Sequence, residues 1–166
     1  MQSVSCDPHS FRLACGRFPT GVTVATLRGK DGLPCGITLN SFVSLSLCPP
    51  LIMVCIDGRS QILKHLTTAH NIAVNVLSDE QCELSRQFAG PWEARFHNIM
   101  WRAGTSGTPV LCGAATVLEC SVVEIKQVGD HHMIISLVLH VDITDRRPLT
   151  FLNGSYWRLD AVQALG

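Results

Sequence analysis

Runs of β-branched and apolar residues separated by short polar turns dominate the chain. Gly21–Leu27 (GVTVATL) is one such run and ends in the polar turn Arg28–Gly32. Leu51–Ile56 (LIMVCI) is apolar at every position, so it predicts a strand buried on both faces. Ile72–Leu77 is a third strand. Val117–Lys126 and Met133–Asp142 flank QVGDHH and predict a long hairpin, and Pro148–Leu152 and Tyr156–Leu159 flank Asn153-Gly154, a two-residue hairpin signal. Helical pattern is sparse. Phe11–Arg17 reads as a short helix stopped near Pro19. Ser60 can cap a helix carrying Ile62, Leu63 and Leu66, and Ser78 with Gln81 has capping-box spacing before a helix running to about Phe88. About seven strands and two or three short helices in one domain, 1–166, predict a mostly β fold with a closed or nearly closed barrel.

Composition narrows the function. The chain of 166 residues is 46% hydrophobic and 16% charged, with a mean hydropathy of +0.25. Its longest apolar stretch is far below the roughly 18 residues of a spanning helix, so a membrane segment is not expected. The first residues lack the basic and apolar regions of a signal peptide. The apolar excess therefore points to surface buried against a cofactor or a second subunit. Thirteen basic and thirteen acidic residues give zero net charge and no basic run, which argues against nucleic acid as a partner. Eight cysteines contain no Cys-x-x-Cys pair, so no metal site is expected. Most are read as reduced core residues of a cytoplasmic protein.

The segment Gly36–Pro50 (GITLNSFVSLSLCPP) sets Thr38, Asn40, Ser41, Ser44 and Ser46 among apolar residues. Short neutral hydrogen-bonding groups suit the polar edge of a ring, or a phosphate held without much positive charge. An ordinary strand with a polar outer face fits the same pattern.

Four stretches in register change the picture: RFPTGVTVAT at 17–26, Thr38–Pro50, Ile72–Ser78 followed by Leu84–Phe88, and Gly129-Asp130-His131. Together they resemble the flavin reductase family that feeds reduced flavin to two-component monooxygenases, over about Phe11–Leu159. The resemblance implies a split β-barrel of FMN-binding, Greek-key-like type, a homodimer, and hydride transfer from NADH or NADPH to FMN or FAD. Thr38, Leu39, Asn40, Ser41, Ser44, Leu45 and Ser46 look like the family's flavin-binding strand and loop. Pro19 and Thr20 look like residues beside the ring. Ser85, Arg86 and Phe88 resemble a segment closing over the phosphate, with Arg86 as its charge partner. His131 matches the histidine that seats the nicotinamide and is the candidate catalytic residue; the neighbouring His132 blurs which imidazole points inward. Tyr156 resembles an aromatic on the nicotinamide side.

The absence of Gly-x-Gly-x-x-Gly excludes a Rossmann nucleotide domain as far as a motif can, so the dinucleotide is expected as a second ligand over the flavin. With no Arg/Lys cluster for a 2′-phosphate, NADH is favoured. The implied partner is a flavin-dependent monooxygenase. The rival readings are a flavin carrier or sensor without turnover, a pyridoxine-phosphate oxidase type of split barrel, and a purely structural barrel.

Overall fold

A computed structural model describes residues 6–67 and 70–159. Two α-helices, α1 (Pro8–Gly16) and α2 (Cys82–Ala89), accompany twelve strands. The strands are β1 (Thr20–Gly21), β2 (Thr23–Arg28), β3 (Pro34–Leu39), β4 (Val43–Leu47), β5 (Pro50–Asp57), β6 (Asn71–Val76), β7 (Trp101–Ala103), β8 (Pro109–Leu111), β9 (Thr116–Val128), β10 (His131–Ile143), β11 (Leu149–Leu152) and β12 (Ser155–Arg158). Seven form one antiparallel sheet in the order β3-β2-β6-β9-β10-β5-β4.

The two end strands of that sheet, β3 and β4, are neighbours in sequence, joined only by Asn40–Phe42. So short a link holds the two ends of the sheet together and forces it to curl, yet β3 and β4 share no ladder. The barrel is split at that seam. Ser41 spans it: its Oγ accepts from Cys55 N and donates to Cys55 O, both at 2.9 Å. One side chain thus replaces part of the missing ladder.

Inside the barrel, Leu27, Ile52, Val54, Ile56, Ile72, Val74, Val122 and Ile134 form the main core. A second cluster of Val22, Val24, Leu77, Phe88, Leu111 and Leu149 lies between the outer face of β2, helix α2 and the β11–β12 hairpin. β2 is consequently buried on both faces, as its unbroken burial from Thr23 to Leu27 records. β5 is not. Ile52, Val54 and Ile56 are buried, whereas Leu51, Met53, Cys55 and Asp57 alternate with them half-exposed. The apolar run had predicted burial on both faces, but its second face is the open wall of a cleft.

Gly36 lies where α2 crosses β3; a Cβ there would meet the Phe88 ring at 2.5 Å. Phe88 is fully buried beneath it, edge-on to Phe96 with ring centroids 5.0 Å apart. It is a core residue and reaches no phosphate-binding surface, contrary to its expected place in a closing segment. The Ser60 helix is a single 3₁₀ turn, Gln61–Lys64, without a side-chain cap from Ser60, and His65 just after it accepts from Lys30 N at 3.2 Å. At Ser78 half of the capping box forms: Gln81 Oε1 accepts from Ser78 N at 3.0 Å, while Ser78 Oγ is buried without a partner. Asn153 and Gly154 both take left-handed backbone (φ 50° and 77°), as their tight turn requires. The hairpin β7–β8 had no sequence signal. All eight cysteines are free, and only Cys35 and Cys120 are buried, so the reading of most as core residues is corrected: Cys6, Cys15, Cys48 and Cys112 are exposed. Burial pushes the Cys120 thiol up to about 12.

Candidate functional site

Beside the seam, two clefts meet along Asn40, Ser41 and Cys55. The first, about 450 Å³, has apolar walls from Val22, Ile37, Leu39 and Phe151, with Thr38, Asp57, Ser85, His131 and Tyr156 at its polar positions. The second, about 640 Å³, is more apolar, with Phe18, Phe42, Val43 and Met53 among its lining and Thr20 at its edge. Thr20 Oγ1 is buried there with no hydrogen-bond partner among the described residues.

The polar groups of the first cleft differ in how much bonding capacity the fold has already used. Thr38 Oγ1 donates to Ser85 O at 2.6 Å, so its proton points away from the cleft. Ser41 has committed its hydroxyl proton and one lone pair to Cys55. Ser85 Oγ lies 2.8 Å from Tyr156 Oη. Asn40 is exposed and makes no side-chain hydrogen bond among the described residues. Asn40 thus keeps its whole side-chain capacity, and Tyr156 Oη spends one hydrogen bond, on Ser85.

His131 opens β10, one residue beyond the Gly129 turn (φ 62°), and pairs in register with Asp57 of β5. Its Nδ1 lies 2.7 Å from Asp130 Oδ1, which leaves Nε2 as the unengaged nitrogen. That hydrogen bond holds the Asp130 carboxyl below its ordinary value. Asp57 is held well below its own, first by the Arg59 guanidinium hydrogen-bonded to it, then by the Arg59 backbone N–H. Asp57 and His131 are the ionisable groups of the wall that the family motif and the strand register bring face to face. His132 alternates to the other side of β10, where its Nδ1 is buried without a partner; His131 is the imidazole on the cleft.

Other expected residues lie elsewhere. Ser44 and Leu45 are exposed on edge strand β4, and Ser46 is half-exposed there; none lines either cleft, because β4 peels away from β3 beyond the seam. Pro19 is exposed just ahead of β1. Arg86 is paired with Glu83 and sits over the Tyr156 ring, 5.3 Å from its centroid, outside the cleft lining. Cys55, Asp57 and Phe151 were missed from sequence. Cys55 was hidden in an apolar run read as wholly buried, Asp57 directly follows that run, and Phe151, on β11 of the three-stranded sheet, reaches the cleft only through tertiary packing.

The fold and its clefts define a split barrel with two adjoining, largely apolar clefts that carry a few neutral polar side chains and one imidazole. Residues 15–160 match the family described as flavin reductase like domain, and the chain belongs to that family. It is 41% identical over 151 residues to a probable flavin reductase of Rhizobium meliloti (strain 1021), covering 91% of this chain and 49% of that protein. The chain thus spans about half the length of that relative. It is 33% identical over 157 residues to the reductase subunit HsaB of a flavin-dependent monooxygenase of Mycobacterium tuberculosis (strain CDC 1551 / Oshkosh), covering 93% of this chain and 83% of that one. The NADH:FAD oxidoreductase of Streptomyces globisporus C-1027, solved in complex with NAD and FAD fragments, superposes with a TM-score of 0.88 at 33% identity over 95% of each chain.

Proposed function

We propose that this protein is an NAD(P)H-dependent flavin reductase whose flavin, FMN or FAD, occupies the clefts at the seam. The observation that carries the reading is the polar set of the first cleft: apolar walls with Asn40 and His131 Nε2 left unengaged, and Tyr156 Oη bonded to Ser85 Oγ alone, among the described residues. A planar heteroaromatic ring with a polar edge fits such a lining, and the orphaned Thr20 hydroxyl in the adjoining cleft offers another polar contact. When bound, the flavin supplies the hydride acceptor. The chain's own task is to hold two rings together and exclude water. Leu39, Ile37, Val22 and Phe151 provide the apolar surfaces, Asn40 and the backbone of the seam the polar edge, and His131 Nε2 the contact to the nicotinamide carboxamide.

NADH is the favoured donor: the cleft lining includes Asp57 and His131 and, among the described residues, no Lys or Arg for a 2′-phosphate. The protein acts as a homodimer, supported by exposed apolar residues on β4 and β10 (Leu45, Leu47, Leu139, Val141 and Ile143), of which Leu47 is 90% exposed. It works in the cytoplasm, where its eight free thiols persist, and passes reduced flavin to a partner monooxygenase. No helix among the described residues is long and apolar enough to cross a membrane.

The test is nicotinamide oxidation by purified protein, followed by absorbance with and without added FMN or FAD. Flavin-dependent turnover with NADH is the expected outcome. A yellow protein that leaves both NADH and NADPH untouched makes the chain a flavin carrier, and a colourless protein indifferent to flavin overturns the flavin reading altogether.

A further inference from the structure

Ser85 is fully buried in α2, yet its hydroxyl reaches the first cleft through one neighbour. Tyr156 Oη, 2.8 Å away, is the only hydrogen-bond partner of Ser85 Oγ among the described residues. Distance alone allows either oxygen to donate. Burial breaks the symmetry. Ser85 has a single proton and no water to give it to, so unless that proton goes to Tyr156 Oη it is buried unsatisfied. Tyr156 is half-buried and lines the cleft, so its own proton can go to water or to a ligand.

We infer that Ser85 is a positioning residue that makes the Tyr156 hydroxyl accept from the protein side and donate into the cleft, toward an acceptor oxygen of the bound ring. Ser85 sets a second polarity through its backbone. Its carbonyl takes the Thr38 proton at 2.6 Å, which leaves the Thr38 hydroxyl offering lone pairs. The cleft therefore presents a donor at Tyr156 and an acceptor at Thr38, both held by one buried serine. Such a pair recognises a ligand edge that carries a carbonyl oxygen beside an N–H or O–H. Arg86, fixed by Glu83, lies over the Tyr156 ring and keeps it in place while drawing electron density from it. Phe151 packs against the same ring with centroids 5.3 Å apart. The ring is thus clamped from two sides and its hydroxyl is aimed by a third contact.

The ligand named here rests on the flavin reading, whereas the polarity of the hydroxyl does not, and the experiment separates the two. Tyr156 is the single tyrosine of the chain, so its Raman Fermi doublet is assigned without labelling and reports whether the phenol accepts or donates. In flavin-free protein the doublet is expected at the intensity ratio of a phenol that accepts from the protein while donating to water, and Ser85→Ala is expected to move it toward that of a donor only. A strongly donating phenol in the wild-type protein, or a doublet unchanged by Ser85→Ala, overturns the inference. For the ligand, flavin titration by fluorescence is expected to show Ser85→Ala and Tyr156→Phe each weakening binding about three- to tenfold, the worth of one neutral hydrogen bond. The double variant should bind no more weakly than Tyr156→Phe alone, because both changes remove the same contact. Additive losses overturn the coupling. An accepting doublet lost in Ser85→Ala, in a protein that binds no flavin, upholds the polarity and overturns the flavin reading.

Discussion

Two groups of polar residues, one buried around Asn75 and Glu119 and one lining the clefts at the seam, use the same chemistry to opposite ends. Around Asn75 every capacity is spent inside the protein. Its Nδ2 donates to Val24 O at 2.9 Å and Thr26 Oγ1 at 3.1 Å, its Oδ1 accepts from Leu111 N at 2.9 Å, and Thr26 Oγ1 donates to Pro109 O at 2.5 Å. Nearby, Glu119, 2% exposed, accepts from the N–H groups of Thr105 and Ser106 and from Ser106 Oγ. These bonds pin β8 and the 104–108 loop onto the sheet. At the seam the fold spends only part: Ser41 is committed, while Asn40, Tyr156 and His131 Nε2 face a cleft. A polar group that the fold fully satisfies stabilises; one left half-satisfied beside apolar walls is available to a ligand.

That contrast can be broken most severely at Asn75. Asn75→Ala leaves the Leu111 N–H unpaired in the interior, removes the side-chain bonds to Val24 O and Thr26 Oγ1 and opens a cavity, so a loss of about 3 kcal/mol or more in denaturant unfolding is expected, with flavin affinity of the folded fraction unchanged. Equal flavin loss would mean that the two networks are one. Glu119→Gln comes next, at about 1–3 kcal/mol. Burial raises the Glu119 carboxyl, but the backbone and hydroxyl donors of Thr105 and Ser106 outweigh it and hold the group below its ordinary value. Its contribution is therefore present above the unfolded value, about 4.3, and fades as pH falls through the lower folded value. Unfolding midpoints measured on the acid side should fall less steeply with pH in Glu119→Gln than in the wild type.

At the seam the effects are smaller in stability and larger in ligand binding. Ser41→Ala removes both bonds to Cys55, so about 1 kcal/mol of stability and several-fold flavin affinity should go together, read by unfolding and by fluorescence titration. Smallest in stability is His131→Ala, 46% exposed and outside every core cluster. Its unfolding should match the wild type within about 0.5 kcal/mol, while the apparent KM for NADH rises about tenfold and flavin Kd changes far less. Unchanged nicotinamide kinetics would remove His131 from the site.

How legible all this was depended on whether a residue's role is local. The β9–β10 hairpin, the Asn153-Gly154 turn, α1 and α2 follow from period and turn chemistry within a few residues. β5 and β2 looked alike as apolar runs, and only the cover differs: α2 and the β11–β12 hairpin close the outer face of β2, and nothing among the described residues closes that of β5. The same ambiguity hid Cys55 in the cleft wall, and Phe88, which the resemblance set in a segment closing over the phosphate, fills the core under Gly36. The sequence names the Thr38 and Ser41 hydroxyls as hydrogen-bonding groups without saying where their protons go, which the contacts to Ser85 O and Cys55 O decide.

The sequence by itself determined that the protein is a mostly β barrel with few charges, that its polar residues gather in Thr38–Ser46, and that Gly129-Asp130-His131 sits at a hairpin tip. Alternation and turn residues are properties of neighbouring positions, and they carry that much. Only the tertiary structure decided which face of β5 stays open, which hydroxyls are spent and which imidazole of the His131-His132 pair meets the cleft. Those outcomes depend on contacts between residues far apart in the chain, such as Ser85 with Tyr156 and Ser41 with Cys55, made when the sheet curls and its two ends meet.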